Sequence, residues 1–193
     1  LRGIADIDAG PGILLQIPHE FILLNGIPMP EKGRYGVGMV FLPKNPNDNA
    51  RFTEIITESV EAHGLSVMHS RQVPVNSSIL GQDAIESEPE IRQIFIVGCD
   101  DRKTLEDKLY LIRKAIERKV LDSSISDKGG CYVASLSTRT VVYKGMLSTM
   151  QLRDYFPDLT NQYFTSAIAL VHSRFSTNTF PTWSLAQPFR MIG

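Results

Sequence analysis

Short apolar runs fenced by glycine and proline recur along this chain and limit its fold more than any other feature. Residues 13–17, 37–42, 93–98, 131–136, 140–143 and 165–171 are each rich in Ile, Val, Leu or Phe. That length and composition suit strands buried in a sheet. Two stretches follow helical spacing instead. Phe52, Ile55, Ile56 and Val60 recur every three or four residues, with Gly64 placed to end the helix. Leu105, Leu109, Ile112, Ile116 and Val120 line one face of a charged segment, with Thr104 and Asp107 expected as a capping box. Ser148 and Gln151 predict a further capped helix ending near Pro157. Residues 131–136 and 140–143 read as a hairpin around Ser137-Thr138-Arg139, and residues 44–50 and 123–130 read as polar loops. Strands and helices without regular βαβ alternation predict an α+β fold.

The 193 residues suffice for one domain with a sizeable core. Net charge is −1, with no cationic stripe interleaved with aromatics, so neither nucleic acid nor an anionic membrane is an expected partner. No apolar run reaches the ~18 residues of a membrane-spanning helix. The first residues do not read as a signal peptide, and the expected setting is cytoplasmic. Cys99 and Cys131 are too few for a disulfide framework and lack metal-ligand spacing. Both lie against apolar runs and read as inert buried thiols. The four histidines are scattered, and no metal site is expected.

The segment from Val171 to Trp183 carries the chemistry. A strand that reads as buried, residues 167–171, leads to Arg174, then to Ser176, Thr177, Asn178 and Thr179, and an aromatic–proline–tryptophan turn follows. Arginine offers a planar fork of donors that matches a carboxylate, and the hydroxyl and amide side chains behind it donate and accept. An arginine at a strand end is commonly solvated or paired with a surface acid. Polar density directly after an apolar strand favours a site, because loops at strand ends carry function. The expectation is a pocket for a small amino acid, with Trp183 and Phe180 as core or pocket wall.

The same segment, HSRFSTNTFPTW followed by Ala186-Gln187-Pro188-Phe189-Arg190, resembles the glutamine amidotransferase domain at the head of the large subunit of glutamate synthase. So do GILLQIPHEF (12–21), YGVGMVFLP (35–43), Val73-Pro74-Val75, Ile79-Leu80-Gly81, Ser87-Glu88-Pro89 and SLSTRTVVYKGML (135–147), in order. The resemblance implies a four-layer αββα N-terminal-nucleophile hydrolase sandwich, two antiparallel sheets face to face with helices outside. It implies that residues 1–193 are part of a single amidotransferase domain, incomplete at both ends. It also implies L-glutamine as substrate, and Arg174 as partner of its α-carboxylate, with Thr177 and Asn178 lining the pocket. Arg2 and Gly3 match a segment that packs near the nucleophile, with Leu1 where the family has histidine.

Hydrolysing an amide takes a nucleophile, a base and donors for the oxyanion. The family's nucleophile is an N-terminal cysteine whose own α-amine acts as base. Cys99 and Cys131 are internal and lack such an amine, so no catalytic residue is assigned within this chain, which is expected to be inactive alone. The ammonia would pass to a synthase domain or subunit that aminates 2-oxoglutarate in glutamate biosynthesis and nitrogen assimilation. That centre would use FMN, an iron–sulfur cluster and a nicotinamide or ferredoxin donor, with no cofactor in this domain: Gly36-Val37-Gly38 lacks the third glycine and following helix of a dinucleotide fingerprint. The alternatives are a non-catalytic glutamine-binding or scaffold domain of the same fold, and another N-terminal-cysteine amidotransferase lacking the FPTW…AQPFR run.

Overall fold

The structure, a computed structural model, describes residues 10–173 and 181–188. Its elements are β1 (Gly12–Gln16), α1 (His19–Leu24), β2 (Gly36–Leu42), α2 (Pro46–Glu61), β3 (Ser66–Gln72), α3 (Gln82–Ser87), β4 (Glu90–Val97), α4 (Arg102–Asp122), β5 (Tyr132–Ser137), β6 (Thr140–Lys144), α5 (Gln151–Tyr155) and β7 (Ala169–His172). The strands form two antiparallel sheets, one ordered β6-β1-β7 and the other β3-β4-β2-β5.

Alternation along β2 explains how the layers stack, since successive side chains leave a strand on opposite faces. Val37, Met39 and Phe41 enter a core shared with Phe95 of β4 and Val141 and Tyr143 of β6, which fills the space between the sheets. Val40 and Leu42 enter a second core with Phe52 and Ile55 of α2 and Leu105, Leu109 and Ile112 of α4. Helices α2 and α4 therefore cover the outer face of the four-stranded sheet. Helices α1, α3 and α5 send Phe21, Ala84 and Tyr155 into the core between the sheets. This is the α+β arrangement of two antiparallel sheets with helices. At Gly36 a Cβ would collide with the Leu109 side chain, so glycine lets α4 settle directly on the strand.

Several expectations need correction. Residues 46–50 are not loop but the first turn of α2, where Asn45 accepts from the N–H groups of Asn47 and Asp48 and Pro46 takes the first helical position. Helix α4 is capped by Asp101, which accepts from the Thr104 N–H at 2.7 Å, rather than by Thr104 and Asp107. Strands β5 and β6 are not a hairpin: β5 pairs with β2 and β6 with β1, in different sheets. Side chains impose that crossing. Glu106 of α4 accepts from the Ser137 hydroxyl and the Thr138 N–H, Ser137 Oγ accepts from the Arg139 N–H, and Ser135 Oγ takes the Val142 N–H that a hairpin ladder would use. The last strand begins at Ala169 rather than at 165, because residues 166 and 167 meet β1 through side chains, Ser166 Oγ with the Gln16 N–H and Gln16 Oε1 with the Ala167 N–H. Strand β7 is also an exposed edge rather than buried, with Leu170 43% and Val171 59% exposed.

A polar cluster crosses the gap between the sheets. Arg71 of β3 donates to Gln93 Oε1 of β4 and to both carboxylate oxygens of Asp158, in the 3-10 turn Pro157–Thr160. Tyr143 of β6 donates to Asp158 at 2.9 Å and accepts from Gln93 Nε2 at 2.9 Å. Burial works against the charge on Arg71, but the Asp158 carboxylate outweighs it and holds the guanidinium above its ordinary pKa. Burial, followed by the nearby Asp158 charge, pushes the Tyr143 phenol well above its ordinary value.

Two measurements check this architecture. Leu109→Ala, at a fully buried position, is expected to lower unfolding free energy by about 2–5 kcal/mol in urea melts, against about 0.5 kcal/mol or less for Leu111→Ala two residues on, where the side chain is exposed. Asp158→Ala leaves the largely buried Arg71 guanidinium without its carboxylate and is expected to cost about 3–5 kcal/mol in the same assay.

Candidate functional site

The three-stranded sheet brings three residues into one row: Gly12 of β1 lies opposite Lys144 of β6 on one side and His172 of β7 on the other. Residues 10 and 11 precede that row and Ser173 follows it. The segments holding Arg2 and Gly3, and Arg174, Thr177 and Asn178, therefore meet the described chain at neighbouring strands and at the same end of one sheet. Those five residues themselves lie outside the described residues, as do Ser176 and Phe180.

Residues 181–188 return to this end of the sheet and dock on it. Trp183 is buried, with its ring edge-on to Phe41 and its Nε1–H donating to the Ala84 carbonyl at 3.3 Å. Two glycines make room for the segment. A Cβ at Gly145 would strike the Trp183 ring, and one at Gly12 would strike the Gln187 carbonyl oxygen. The backbone adds Gln187 N–H to Gly10 O at 3.2 Å and Gly145 N–H to Pro11 O at 3.4 Å. Trp183 thus acts as both core and wall, since its other side lines a cavity.

That cavity, about 430 Å³, lies beside residues 182–184 with Asp48, Glu86, Glu88 and Asp127 among its lining. The Ser126 hydroxyl first, and then the Asp127 N–H, hold the Asp48 carboxyl below its ordinary pKa, so it is ionised at neutral pH. Glu88 accepts from the hydroxyls of Tyr155 and Ser77. Carboxylates at this density repel an anionic group. With Lys44 as the one cation among the described lining residues against these four acids, the cavity is ill suited to an amino acid's α-carboxylate.

Lys144 is not singled out by the sequence pattern. Its side chain is completely buried, and its ammonium donates to the carbonyls of Ser184 at 2.9 Å and Ala186 at 2.8 Å and to the Tyr132 hydroxyl at 3.2 Å. The available signal was a lysine closing an otherwise apolar strand, because lysine is almost never fully buried unless it is paired.

The cysteines are half-buried against the helix-side core. Burial, then the charges of Asp127 and Asp48, push the Cys131 thiol up to about 12. Such a thiol stays protonated at neutral pH and is a poor nucleophile. Among the described residues, no three His, Cys, Asp or Glu side chains gather where they could hold a metal, and no helix is long and apolar enough to cross a membrane.

The model of the family described as class-II glutamine amidotransferases matches residues 4–193. Among curated proteins, the chain is 43% identical over 210 residues to a glutamate synthase [NADH] of Saccharomyces cerevisiae, covering 99% of this chain and 10% of that protein. It is 43% identical over 192 residues to a glutamate synthase [NADPH] large chain of Bacillus subtilis, covering 97% and 12%. It is 40% identical over 198 residues to a ferredoxin-dependent glutamate synthase 2 of Synechocystis, covering 98% and 12%. The chain spans about a tenth of the length of these relatives.

In the folded protein at pH 8, Cys131 is expected to resist alkylation by iodoacetamide and to react once urea exposes it. Mass spectrometry of the labelled peptides reads this directly, and rapid labelling of the native protein would contradict the assigned environment.

Proposed function

Because this chain belongs to the class-II glutamine amidotransferases, we propose that it is part of the single glutaminase domain of a glutamate synthase, releasing ammonia from L-glutamine. The observation that carries the reading is the Lys144–Gly12–His172 row, from which the segments with Arg2 and Gly3 and with Arg174, Thr177 and Asn178 run on at adjacent strands. Arg174 takes the α-carboxylate of glutamine through its two-pronged guanidinium, and Thr177 and Asn178 supply a hydroxyl and an amide to the same pocket. Arg2 and Gly3 stand near the nucleophile.

The bond to be broken is the carboxamide C–N. A cysteine thiolate adds to the carbonyl carbon, the C–N bond breaks as the amide nitrogen takes up the proton drawn from the thiol and leaves as ammonia, and water then releases glutamate from the thioester and restores the thiol. Neither cysteine here suits that role: both are internal, and Cys131 is held protonated. Residues 1–193 therefore hold glutamine without cutting it alone. The nucleophilic N-terminal cysteine and the oxyanion donors belong to other residues of the protein.

The ammonia goes to a synthase domain or subunit that reductively aminates 2-oxoglutarate, in a cytoplasmic setting. Cofactors of that step are placed outside this chain. Two cysteines fall short of the four that hold an iron–sulfur cluster. Gly36 and Gly38 lie within β2, not in a turn opening a helix, so they form no phosphate cradle for a dinucleotide. The flavin, the cluster and the nicotinamide or ferredoxin donor fit the remaining nine-tenths of such an enzyme.

In the complete enzyme, Arg174→Ala is expected to raise KM for glutamine about tenfold to a hundredfold, the range for losing a charge-assisted pair. Glutamate formation driven by added ammonia should stay at its original rate. An unchanged KM for glutamine would overturn the site assignment.

A further inference from the structure

Three cationic side chains from separate stretches of the chain line one cavity of about 350 Å³. Lys32 comes from the loop before β2, Arg102 from the first residue of α4, and Arg139 from the crossing between β5 and β6. Gln16 and Thr140, also in the lining, pair across β1 and β6 four residues along from Gly12 and Lys144. The cavity therefore sits at the end of β1 remote from the Gly12 row, roughly 14 Å along the strand. Its floor is apolar: Ile17 is 5% exposed and Tyr35 1%, and the Tyr35 hydroxyl is engaged with His19 Nδ1 at 2.8 Å.

The backbone fixes where these cations stand. The Arg139 N–H donates to Ser137 Oγ, and its carbonyl accepts from the Ile17 N–H, both at 3.0 Å. Gly33 has a φ of +93°, and a Cβ there would lie 3.3 Å from Arg102 Cδ, so this glycine lets the Arg102 stem rest on the Lys32 loop. Among the described residues none of the three cationic side chains has an ion pair or a hydrogen bond, and no Asp or Glu lines the cavity. Carboxylates beside these positions are engaged elsewhere. Glu31 and Asp100 pair with Arg34, Asp101 accepts from the Thr104 N–H, and Glu106 takes the Ser137 and Thr138 hydroxyls. Like charges gathered over an apolar floor raise the local positive potential and draw in an anion.

We propose that this cavity binds a small organic dianion, a dicarboxylate or a phosphate monoester, held by Lys32, Arg102 and Arg139. Its volume falls within the roughly 300–1,000 Å³ of small-ligand pockets. An arginine fork takes one carboxylate or phosphate group through two parallel bonds. A monoanion would leave two of the three cations unneutralised, whereas a dianion engages cations from separate elements at once. Its carbon body rests on Ile17 and Tyr35. The inference stands on this cavity alone and does not rest on the reading of residues 174–178.

The test labels arginines of the complete protein with phenylglyoxal and reads the peptides bearing Arg102, Arg139 and Arg118 by mass spectrometry. Arg118, sixteen residues further along α4 and exposed, is the control. Succinate, glycerol 3-phosphate or both are expected to slow labelling of Arg102 and Arg139 about fivefold or more, with Arg118 unchanged. Acetate and sodium chloride at the same ionic strength should leave all three rates within about twofold. Protection by succinate alone assigns a dicarboxylate, by glycerol 3-phosphate alone a phosphate monoester, and by both a site that reads charge. Lys32→Gln, at an exposed position, is expected to raise the half-protecting concentration of the effective probe about threefold to tenfold. Equal slowing by acetate or sodium chloride would be screening and overturns the site. Full labelling in the presence of every probe also overturns it. Failure of both arginines to label without any probe overturns it too, because another part of the protein then covers the cavity. Protection that Lys32→Gln leaves unchanged overturns the three-cation site.

Discussion

Strand β2 is the constraint on which the other layers depend. Every one of its seven residues is buried, because it is hydrogen-bonded on both edges, to β4 and β5, and packed on both faces. A strand in that position has no polar face to turn outward, which explains the unbroken run GVGMVFL. Its two glycines and its large side chains divide the work. Gly36 and Gly38 let α4, Ile94 and Leu136 approach, while Met39 and Phe41 fill the space toward β6. Moving the pairing by one residue would exchange those faces and place Val37 where Gly36 now admits Leu109. The register of the whole four-stranded sheet is therefore tied to one strand.

Apolar packing alone tolerates sliding and repacking between two sheets, whereas a bidentate ion pair has a required direction. The Arg71–Asp158–Tyr143–Gln93 cluster supplies direction between the sheets. It links an edge strand, a central strand, a strand of the opposite sheet and the turn after α5. Each member satisfies another, and among the described residues no buried side-chain polar atom lacks a partner. That completeness matters because a half-satisfied polar cluster costs more than an apolar one. Phe21 of α1 lies under the Arg71 guanidinium at 5.5 Å, so the first helix is fastened to the same point.

The parts of this fold that the sequence announces are those governed by local periodicity. Strands β2 and β4 and helices α2 and α4 follow from runs of apolar residues at period two or near 3.6. What stayed hidden depends on partners distant in sequence. Strand β3 went unanticipated because SVMHSRQ is polar and mostly exposed, and it becomes a strand only by pairing with β4. The crossing from β5 to β6 looked like a hairpin because a turn of Ser, Thr and Arg is the same in either case. Glu106, thirty-one residues from Ser137, makes the difference. Strand β7 read as buried from its composition, and edge position overrode composition. The start of α2 was legible after all, since asparagine before proline is an N-cap followed by the favoured first residue. The motif around Arg174 stands out in the sequence because a fork of donors amid hydroxyls is local chemistry, and the proposed site rests on that motif. Lys144 does not stand out, because what distinguishes it is burial against carbonyls forty and forty-two residues away.

The two anchors that flank the arginine-bearing segment differ in kind. On one side β7 holds it through backbone bonds to β1, whose register is shared with β6. On the other, residues 182–188 are held by a buried tryptophan, a lysine ammonium and two close glycine contacts. A ladder fixes position along the strand, whereas a set of side-chain contacts fixes orientation. A chain stretch anchored at both ends in two different ways has less conformational freedom left to lose on ordering. Charge completes the division of labour. The acid-lined cavity next to Trp183, where Asp48, Glu86, Glu88 and Asp127 outnumber Lys44, disfavours a carboxylate.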